Sequence, residues 1–267
     1  MNDRPGRHPD AGQLRADCEA AYAAFVPPEL LALMGQADIG AARVGQHAER
    51  SLSVLFSDIR GFTTLSEGMN QQENFRLLNT YLAGVNPVVT GAGGFIAKFI
   101  GDGIMALFPG SADDALQAGI GLLHHLRSYN QQAAAEGRVP IGIGVGINTG
   151  ITMLGHVGSA ARMETTVIGD TVNLASRLET ETRTYDAPLL ISEHTLYGLA
   201  DAGRYHIRLI DRVRVKGKVH PQSLYEVFDA DEPALLAGKL AALPAFERAV
   251  ARYHQRDIAR AEEGFQA

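Results

Sequence analysis

The sequence predicts an α+β fold, with an antiparallel-rich sheet and helices packed on one face. Strand-like runs occur next to each other as well as between helical stretches, which is typical of α+β proteins. The composition is that of a globular protein, with 46% hydrophobic and 20% charged residues in a chain of 267. No sustained internal repeat divides the chain, so it has room for one large domain or two small ones.

The first strand of the main domain is predicted near residue 52. Leu52, Val54 and Phe56 alternate with polar or smaller residues, which places them on one face of a strand. Apolar residues at spacings of three and four then predict a helix, which Pro87 should kink or end. The residues of this helical stripe are Phe75, Leu78, Leu82, Val85 and Val89.

A hairpin and a long helix follow. Two apolar runs flank Gly101-Asp102-Gly103, so residues 95–108 are predicted to form a β-hairpin. Ser111 is suited to cap the next helix, and Gly137 is suited to end it. These two signals predict a helix between residues 111 and 137.

The second half of the chain alternates strands and helices. Strands are predicted at residues 139–147 and 164–168, followed by a helix that Asp170 can cap and that runs to about Thr184. Three alternating runs and a helical, Ala-rich tail at 231–267 complete the order. The three runs read RYHIRLI, VRV and SLYEV.

These elements suggest three segments. Residues 1–48 are rich in Ala, Gly and Pro and are expected to form a linker or connecting helix. Residues 49–229 carry the main catalytic domain, and residues 230–267 form a C-terminal helical extension. Either flanking segment could connect to a further module or fold onto the main domain.

Charge and cysteine content narrow the classes of function. The formal net charge is −6, which argues against nucleic acid as the main partner. The single cysteine, Cys18, excludes an internal disulfide and fits a reducing compartment. The chain starts without a signal-like apolar stretch and contains no predominantly apolar run long enough for a membrane span. We expect a soluble, cytoplasmic protein.

Two carboxylates follow apolar strands and could act together. Asp58 ends the strand in VLFSDIRGFT, and Asp102 lies in the turn of KFIGDGIMALF. Taken singly, Asp58 could cap the short helix near Phe62, and Asp102 could be a routine turn residue. Taken together, two carboxylates on adjacent strands could share Mg²⁺ ions, which bind oxygen ligands and substrate phosphates.

Two further motifs carry groups suited to a phosphate-containing ligand. Asn173 and Arg177 in TTVIGDTVNLASRLE are four residues apart, so they lie on one helix face. Arginine offers a planar donor fork that suits phosphate. Lys216 and Lys218 flank a glycine and could form a basic loop that closes on a polyphosphate. The alternatives are a solvated helix face and a solvated turn.

Other nucleotide-binding and catalytic patterns are missing. The stretch GIGVGINTG has glycines at 142, 144, 146 and 150, which is not the G-x-G-x-x-G spacing of dinucleotide-binding folds. The sequence has no phosphate-binding P-loop, no zinc-ligand spacing and no G-x-S-x-G nucleophile motif. The function therefore has to rest on the four motifs above.

In combination and in this order, VLFSDIRGFT, KFIGDGIMALF, VIGDTVNLASRLE and RVKGK resemble the class III nucleotidyl cyclase catalytic domain. The resemblance extends from about Arg50 to Phe228. It implies a ferredoxin-like α+β domain that pairs head to tail and binds a nucleoside triphosphate between two domains. The ribose 3′-hydroxyl would attack the α-phosphate, giving a cyclic 3′,5′-monophosphate and pyrophosphate.

The resemblance also implies a role for each motif residue. Asp58, Asp102 and the carbonyl of Ile59 match ligands of two divalent metal ions, Mg²⁺ or Mn²⁺. Asn173 resembles the asparagine that orients the ribose, and Arg177 the arginine that stabilises charge on the α-phosphate. The positions that match phosphate contacts are the amides of Gly61, Phe62 and Thr63 and the side chain of Lys216, with Lys218 as a weaker candidate.

Two positions bear on the choice of base. Lys98 and Thr166 match the base-reading positions, and the backbone of Val167 should lie beside the base. Lysine donates a hydrogen bond and a threonine hydroxyl can accept one, which suits adenine. Guanylate-forming relatives usually have Glu and Cys at these two positions. The chain therefore looks like an adenylate cyclase of the subgroup with Thr, which bicarbonate often stimulates.

Since every position of the site is occupied in one chain, we expect a head-to-tail homodimer with two equivalent sites. One protomer would supply the two aspartates, and its partner the base-reading, ribose and phosphate residues. Two alternatives remain, a silent nucleotide-binding or dimerisation module and an enzyme that makes a cyclic dinucleotide. The intact residue set argues against the first, and the missing GGDEF-like run argues against the second.

Overall fold

The structure is a computed structural model that describes residues 11–213 and 221–266. Within these ranges the chain divides into two compact units. The first unit ends at Arg50 and also includes Met153–Val167, and the second contains Ser51–Thr152 and the segment from Ile168 onward. Lys216 and Lys218 lie outside the described residues.

The predicted helices and strands occur in the predicted order, but the structure adds a strand at Leu189–Ser192 and a short helix at Glu193–Gly198 that the sequence analysis did not predict. The helices are α1 Ala11–Ala23, α2 Pro28–Leu33, α3 Phe62–Glu67, α4 Gln71–Gly91, α5 Ala112–Ala135, α6 Asp170–Thr184, α7 Glu193–Gly198, α8 Pro233–His254 and α9 Ile258–Gln266. The strands are β1 His47–Ile59, β2 Phe95–Ile100, β3 Gly103–Phe108, β4 Ile143–Ser159, β5 Arg162–Ile168, β6 Leu189–Ser192, β7 Ile207–Val213 and β8 Gln222–Val227.

The strands form one mostly antiparallel sheet in the order β2-β3-β1-β4-β6-β8-β7, with β5 paired to β4. Strand β3 pairs antiparallel with both β1 and β2, and β8 pairs antiparallel with both β6 and β7. Strands β4 and β6 are parallel. The predicted α+β class and the antiparallel-rich sheet are confirmed.

The helices of the second unit do not all lie on one face of the sheet. Successive residues of a strand point to opposite faces. On β4, Ile147 joins the main core with α4 and α5, whereas a Cβ on Gly146 would lie 2.1 Å from the Glu179 amide nitrogen of α6. The single-face arrangement therefore holds for α4 and α5, while α6 packs on the other face, where glycines give it room.

Helix α4 continues through Pro87 to Gly91, so the proline does not end it. The pyrrolidine ring removes one backbone hydrogen bond. Val85 and Val89, two residues before and after the proline, are buried in the main core. Burial on both sides of the proline offsets the lost bond, and the helix persists.

One of the two predicted helix caps is present. The Ser111 hydroxyl accepts a hydrogen bond from the Asp114 amide, and the Asp114 carboxylate accepts one from the Ser111 amide, which completes a capping box. The prediction that Asp170 caps α6 is wrong. The residue before the helix is Gly169, whose φ of 136° suits glycine, and no side chain caps this end.

The sequence pattern did not separate β6 from its surroundings. All four residues of this strand are buried. Leu189 and Ile191 contribute to the main core, and Leu190 contributes to a second core with Leu174 and Leu178 of α6. A strand that is buried on both faces carries a nearly continuous apolar run, here Leu189–Ile191, so it lacks the alternation that marks a strand.

The C-terminal helix α8 is attached to the sheet by a buried ion cluster. Glu226 on β8 is 1% exposed and binds Arg208 of β7 at 2.5 Å and Lys239 of α8 at 2.6 Å. The Arg208 guanidinium also lies 4.3 Å from the ring centre of Phe246 on α8. These contacts bring the predicted helical extension into the second unit.

Among the described residues, none of the helices combines the length and the apolar character that crossing a bilayer requires.

Candidate active site

The structure brings Asp58 and Asp102 together at one end of the β1–β3 pair. Ser57 pairs with Ile104, so Asp58 continues toward the turn that carries Asp102. Gly103 in this turn is close-packed, because a Cβ there would lie 3.0 Å from Oδ1 of Asp58 and 2.9 Å from the carbonyl oxygen of Ser57. A glycine at 103 therefore lets the hairpin approach the Asp58 carboxylate.

The two carboxylates interact directly. Burial raises the pKa of Asp58 to about 7, with further contributions from a hydrogen bond to Asp102 and from its negative charge. The negative charge of Glu179 acts in the same direction, and a hydrogen bond from the Ile59 amide opposes it. Two carboxyl groups this close hold a proton or a cation between them at neutral pH.

Two charged residues of α6 that the sequence did not single out face this site. Arg183 Nη2 lies 3.6 Å from Asp58 Oδ2. Glu179 is 9% exposed, and burial raises the pKa of its carboxyl group. Glu179 and Arg183 are four residues apart, so they lie on one face of α6. Only the packing of α6 on the sheet shows that this face is turned toward Asp58.

The donor set fits a divalent metal ion that is completed by other ligands. Oδ2 of Asp102 is buried without a hydrogen-bond partner, which leaves an oxygen available to a cation. No group of three or more His, Cys, Asp or Glu side chains suited to a metal occurs within residues 11–213 and 221–266. Hard cations commonly combine one or two carboxylates with substrate phosphates and water, and this arrangement matches that pattern.

The turn after Asp58 leads into a short helix, α3. Gly61 precedes the helix with a φ of 66°, a left-handed conformation that favours glycine. No side chain caps this end, so the alternative interpretation of Asp58 as a helix cap is wrong. Phe62 and Thr63 belong to the first turn, whose amides are not used within the helix.

Asn173 and Arg177 lie on the same helix as Arg183, but farther toward its N-terminus. Ten residues separate Asn173 from Arg183, which corresponds to about 15 Å along the helix axis. Asn173 is exposed, and Arg177 is partly buried. The C-terminal turns of α6 therefore reach Asp58 of the same chain, while its N-terminal half presents the other two side chains elsewhere.

The base-reading candidates lie on two different strands. Lys98 is partly buried on β2, where it pairs with Met105 just after a shift in register. Thr166 and Val167 are buried on β5, in the first unit. Within that unit, the neighbouring Thr165 hydroxyl lies 2.9 Å from Nδ1 of the buried His156.

The family model and the similar proteins of known name indicate the same family. The sequence model of the adenylate and guanylate cyclase catalytic domain matches residues 44–228. An adenylate cyclase of Anabaena cylindrica is 41% identical over 213 residues, which cover 78% of this chain and 42% of that protein. The terminal-differentiation-specific adenylate cyclase of Dictyostelium discoideum is 37% identical over 94% of this chain and 12% of its own length. The chain thus spans less than half of either relative.

Solved structures show the same fold. The adenylyl cyclase CyaB from P. aeruginosa superimposes with a TM-score of 0.62 at 37% identity, covering 68% of this chain and 96% of that one. The guanylyl cyclase Cya2 gives a TM-score of 0.60, also at 37% identity, over 70% of this chain and 95% of that one. Adenylyl and guanylyl cyclases are therefore equally similar by these measures.

Proposed function

Because this chain belongs to the family of adenylate and guanylate cyclase catalytic domains, we propose that it converts ATP to 3′,5′-cyclic AMP and pyrophosphate. The observation that carries the proposal is the pair of touching carboxylates, Asp58 and Asp102, one of which has a buried oxygen without a hydrogen-bond partner. A site of this kind suits a cation that is completed by the phosphates of a substrate.

Asp58, Asp102 and the carbonyl of Ile59 would hold the metal ions. Two divalent cations, Mg²⁺ or Mn²⁺, would activate the ribose 3′-hydroxyl and neutralise charge on the triphosphate. The amides of Gly61, Phe62 and Thr63 would bind phosphate oxygens at the start of α3. Lys216, which lies outside the described residues, would bind the same triphosphate.

The other residues act on the ribose, the α-phosphate and the base. Asn173 would orient the ribose, so that the 3′-hydroxyl lies in line with the bond that breaks. Arg177 would donate to the α-phosphate oxygens as negative charge develops on them. Lys98 and Thr166 would read adenine by donating to its ring nitrogen and accepting from its amino group, with Val167 beside the ring.

The site is proposed to form between two copies of the chain. Asp58 lies at the C-terminal end of α6, whereas Asn173 lies about 15 Å along that helix. A head-to-tail homodimer would bring Asn173 and Arg177 of one protomer to Asp58 and Asp102 of the other. The domain boundaries 49–229, with linker 1–48 and extension 230–267, remain part of this proposal, as does stimulation by bicarbonate.

The test is to measure product from ATP and from GTP, with Mg²⁺ or Mn²⁺, across a dilution series of the protein. Cyclic AMP from ATP, with specific activity that falls on dilution, is the expected result. Cyclic GMP as the main product would contradict the base assignment and leave the cyclase assignment intact. ATP binding without any cyclic product would favour the silent-module alternative.

Adding bicarbonate at constant pH and ionic strength tests the regulatory part of the proposal. We expect a rise in cyclic AMP formation at saturating ATP and metal. Sodium chloride at the same concentration is the control for salt effects. An equal response to both salts would remove bicarbonate from the proposal.

A further inference from the structure

The start of α6 is held without a capping side chain. Gly169 precedes the helix and has no side chain that could cap the first turn. A contact with a neighbouring element holds this turn in place. The placement of the first turn matters, because Asn173 and Arg177 follow within it and in the next turn.

Strand β4 supplies that contact through Asn148. Its Nδ2 donates to the carbonyl oxygen of Thr171 at 2.9 Å, and its Oδ1 accepts from the Ser192 hydroxyl at 2.6 Å. A carbonyl oxygen only accepts hydrogen bonds, so the amide group has a single orientation that satisfies both partners. Asn148 is 3% exposed and Ser192 is fully buried, so water does not replace these bonds.

A second bond joins the same turn to the same strand. The Thr171 hydroxyl donates to the carbonyl oxygen of Ile151 at 2.7 Å. Thr171 is therefore bound to β4 at two points, through its backbone carbonyl and through its side chain. Since Asn173 lies only two residues farther along, its position follows from that of Thr171.

Glycines make this close approach feasible. A Cβ on Gly146 would lie 2.1 Å from the Glu179 amide nitrogen, and one on Gly150 would lie 2.8 Å from the Thr171 hydroxyl oxygen. At Gly146 the close atom belongs to the helix backbone, so any side chain there would push α6 away from the strand. At Gly150 a side chain would displace the Thr171 hydroxyl. The glycine-rich stretch that lacks dinucleotide-binding spacing is thus the surface on which α6 lies.

We propose that Asn148 is a positioning residue, which fixes the first turn of α6 on β4 and thereby places Asn173 and Arg177 for catalysis. The inference rests on the proposed cyclase function. Asn148 acts through the helix and has no contact with substrate in this role. A displacement of about 1 Å in a catalytic group can cost about 100-fold in rate, so loosening this turn affects turnover strongly.

The chain offers a matched control in Ser53, which is linked to Asn148 through a series of buried hydroxyl groups. Ser53 on β1 is 1% exposed, and its hydroxyl lies 2.7 Å from that of Thr149. Thr149 contacts Thr195, which in turn bonds to Ser192. Ser53→Ala removes an equally buried polar group while the bonds between Asn148 and Thr171 remain.

The first experiment compares the steady-state kinetics of Asn148→Ala and Ser53→Ala with the wild type. Asn148→Ala should lower kcat about 10- to 100-fold with KM for ATP within about threefold, since Asn173 and Arg177 act on the reacting groups. Ser53→Ala should keep kcat within about threefold. Equal losses in both variants would show a general effect of the network and overturn the proposal.

A double-mutant cycle separates positioning from general destabilisation. If Asn148 acts through Arg177, Asn148→Ala should cost much less in an Arg177→Ala background than in the wild type. Fully additive losses in kcat would overturn the proposal. If Asn148→Ala folds poorly, Thr171→Val takes its place. This variant removes the bond to Ile151, keeps the backbone carbonyl, and should show the kinetic pattern expected of Asn148→Ala.

Hydrogen exchange supplies a readout that does not depend on activity. Amides of the first two turns of α6 should exchange faster in Asn148→Ala than in Ser53→Ala, while α5 stays unchanged in both. Unchanged exchange in α6 would overturn the inference even if the protein proves to be a cyclase. If exchange in α6 is faster in Asn148→Ala but the wild type forms no cyclic nucleotide, the proposed function is rejected and Asn148 is confined to a structural role.

Discussion

Arg183 at the C-terminal end of α6 and Asp58 at the end of β1 form an ion pair, with 3.6 Å between Nη2 and Oδ2. The arginine side chain is 52% exposed and the aspartate 34%, so the pair is partly screened by water. A bound cation would need the same carboxylate. Because the Arg183 guanidinium is also positively charged, we expect it to compete with a metal ion for Asp58.

Arg183→Gln is therefore expected to tighten metal binding. An exposed ion pair contributes about 0.2–1 kcal/mol, so the Mg²⁺ concentration for half-maximal activity should fall roughly 1.5- to 5-fold at pH 8.5. Titrating activity with Mg²⁺ at saturating ATP gives this value. Arg260→Gln, which removes a surface cation that pairs with Asp257, is the control and should have no effect. Weaker metal binding in Arg183→Gln would show that the arginine assists the metal.

Metal binding should depend on pH around neutrality. Burial, together with the hydrogen bond to Asp102 and its charge, raises the pKa of Asp58 to about 7, and a metal ion needs the ionised carboxylate. Below pH 7 the affinity for Mn²⁺ should fall about tenfold per pH unit, with release of one proton on binding. Calorimetry in buffers of different ionisation enthalpy measures both quantities. An affinity for Mn²⁺ that does not change between pH 5.5 and 8 would contradict the prediction that Asp58 and Asp102 hold a proton near neutral pH.

The same shift predicts how the stability of the metal-free protein varies with pH. The ordinary pKa of an aspartate is 3.8, so between about pH 4 and 7 the folded protein holds a proton that the unfolded chain has lost. The stability associated with this proton is present below pH 4 and is lost as the pH rises through 7. Relative to Asp58→Asn, the wild-type Tm should fall from pH 5 to pH 8. Parallel Tm profiles would contradict the raised pKa.

Arg177→Ala should affect turnover more than substrate binding. A donor placed for charge in the transition state is commonly worth about 10²- to 10³-fold in rate. We expect kcat to fall by this factor, with a much smaller change in the Kd for a non-hydrolysable ATP analogue. Single-turnover kinetics and equilibrium binding measure the two effects separately. Equal losses in rate and affinity would assign Arg177 to ground-state binding.

Exchanging the base-reading residues should change the preferred nucleotide. Lys98→Glu together with Thr166→Cys would replace groups that suit adenine with those usual in guanylate-forming relatives. The ratio of kcat/KM for ATP to that for GTP should fall at least tenfold, as measured with both nucleotides in competition. Lys98→Met is the control that removes the charge without adding an acceptor. A ratio that does not change would reject Lys98 and Thr166 as base-reading residues.

The buried ion cluster on β8 should matter for stability and not for chemistry. Glu226→Gln removes the counter-charge of Arg208 and leaves Lys239 with Asp231 alone, and breaking a buried ion pair costs about 3–5 kcal/mol. Urea denaturation should show a loss of this order. Asp257→Asn, which breaks the exposed pair with Arg260, should cost less than about 1 kcal/mol. A small effect of Glu226→Gln would show that α8 is attached mainly by apolar packing.

Local signals in the sequence were sufficient for most elements of the fold. The hairpin at 95–108 and the helix that begins after Ser111 depend on turn and capping residues, which act over a few positions. Strand β6 and the uncapped start of α6 were not predictable in this way. The first is buried on both faces and lacks alternation, and the second is fixed by Asn148, which is distant in sequence.

The sequence by itself determined the α+β class, the order of the elements and the motif residues, because spacing and side-chain chemistry are local properties. The contact between Asp58 and Asp102 could be expected from their places at strand ends. Only the tertiary structure decided that α6 packs on its own face of the sheet and turns Arg183 toward Asp58. That outcome depends on close contact between Gly146 and Glu179, which is 33 residues farther along the chain, and such contacts form only when the chain has folded.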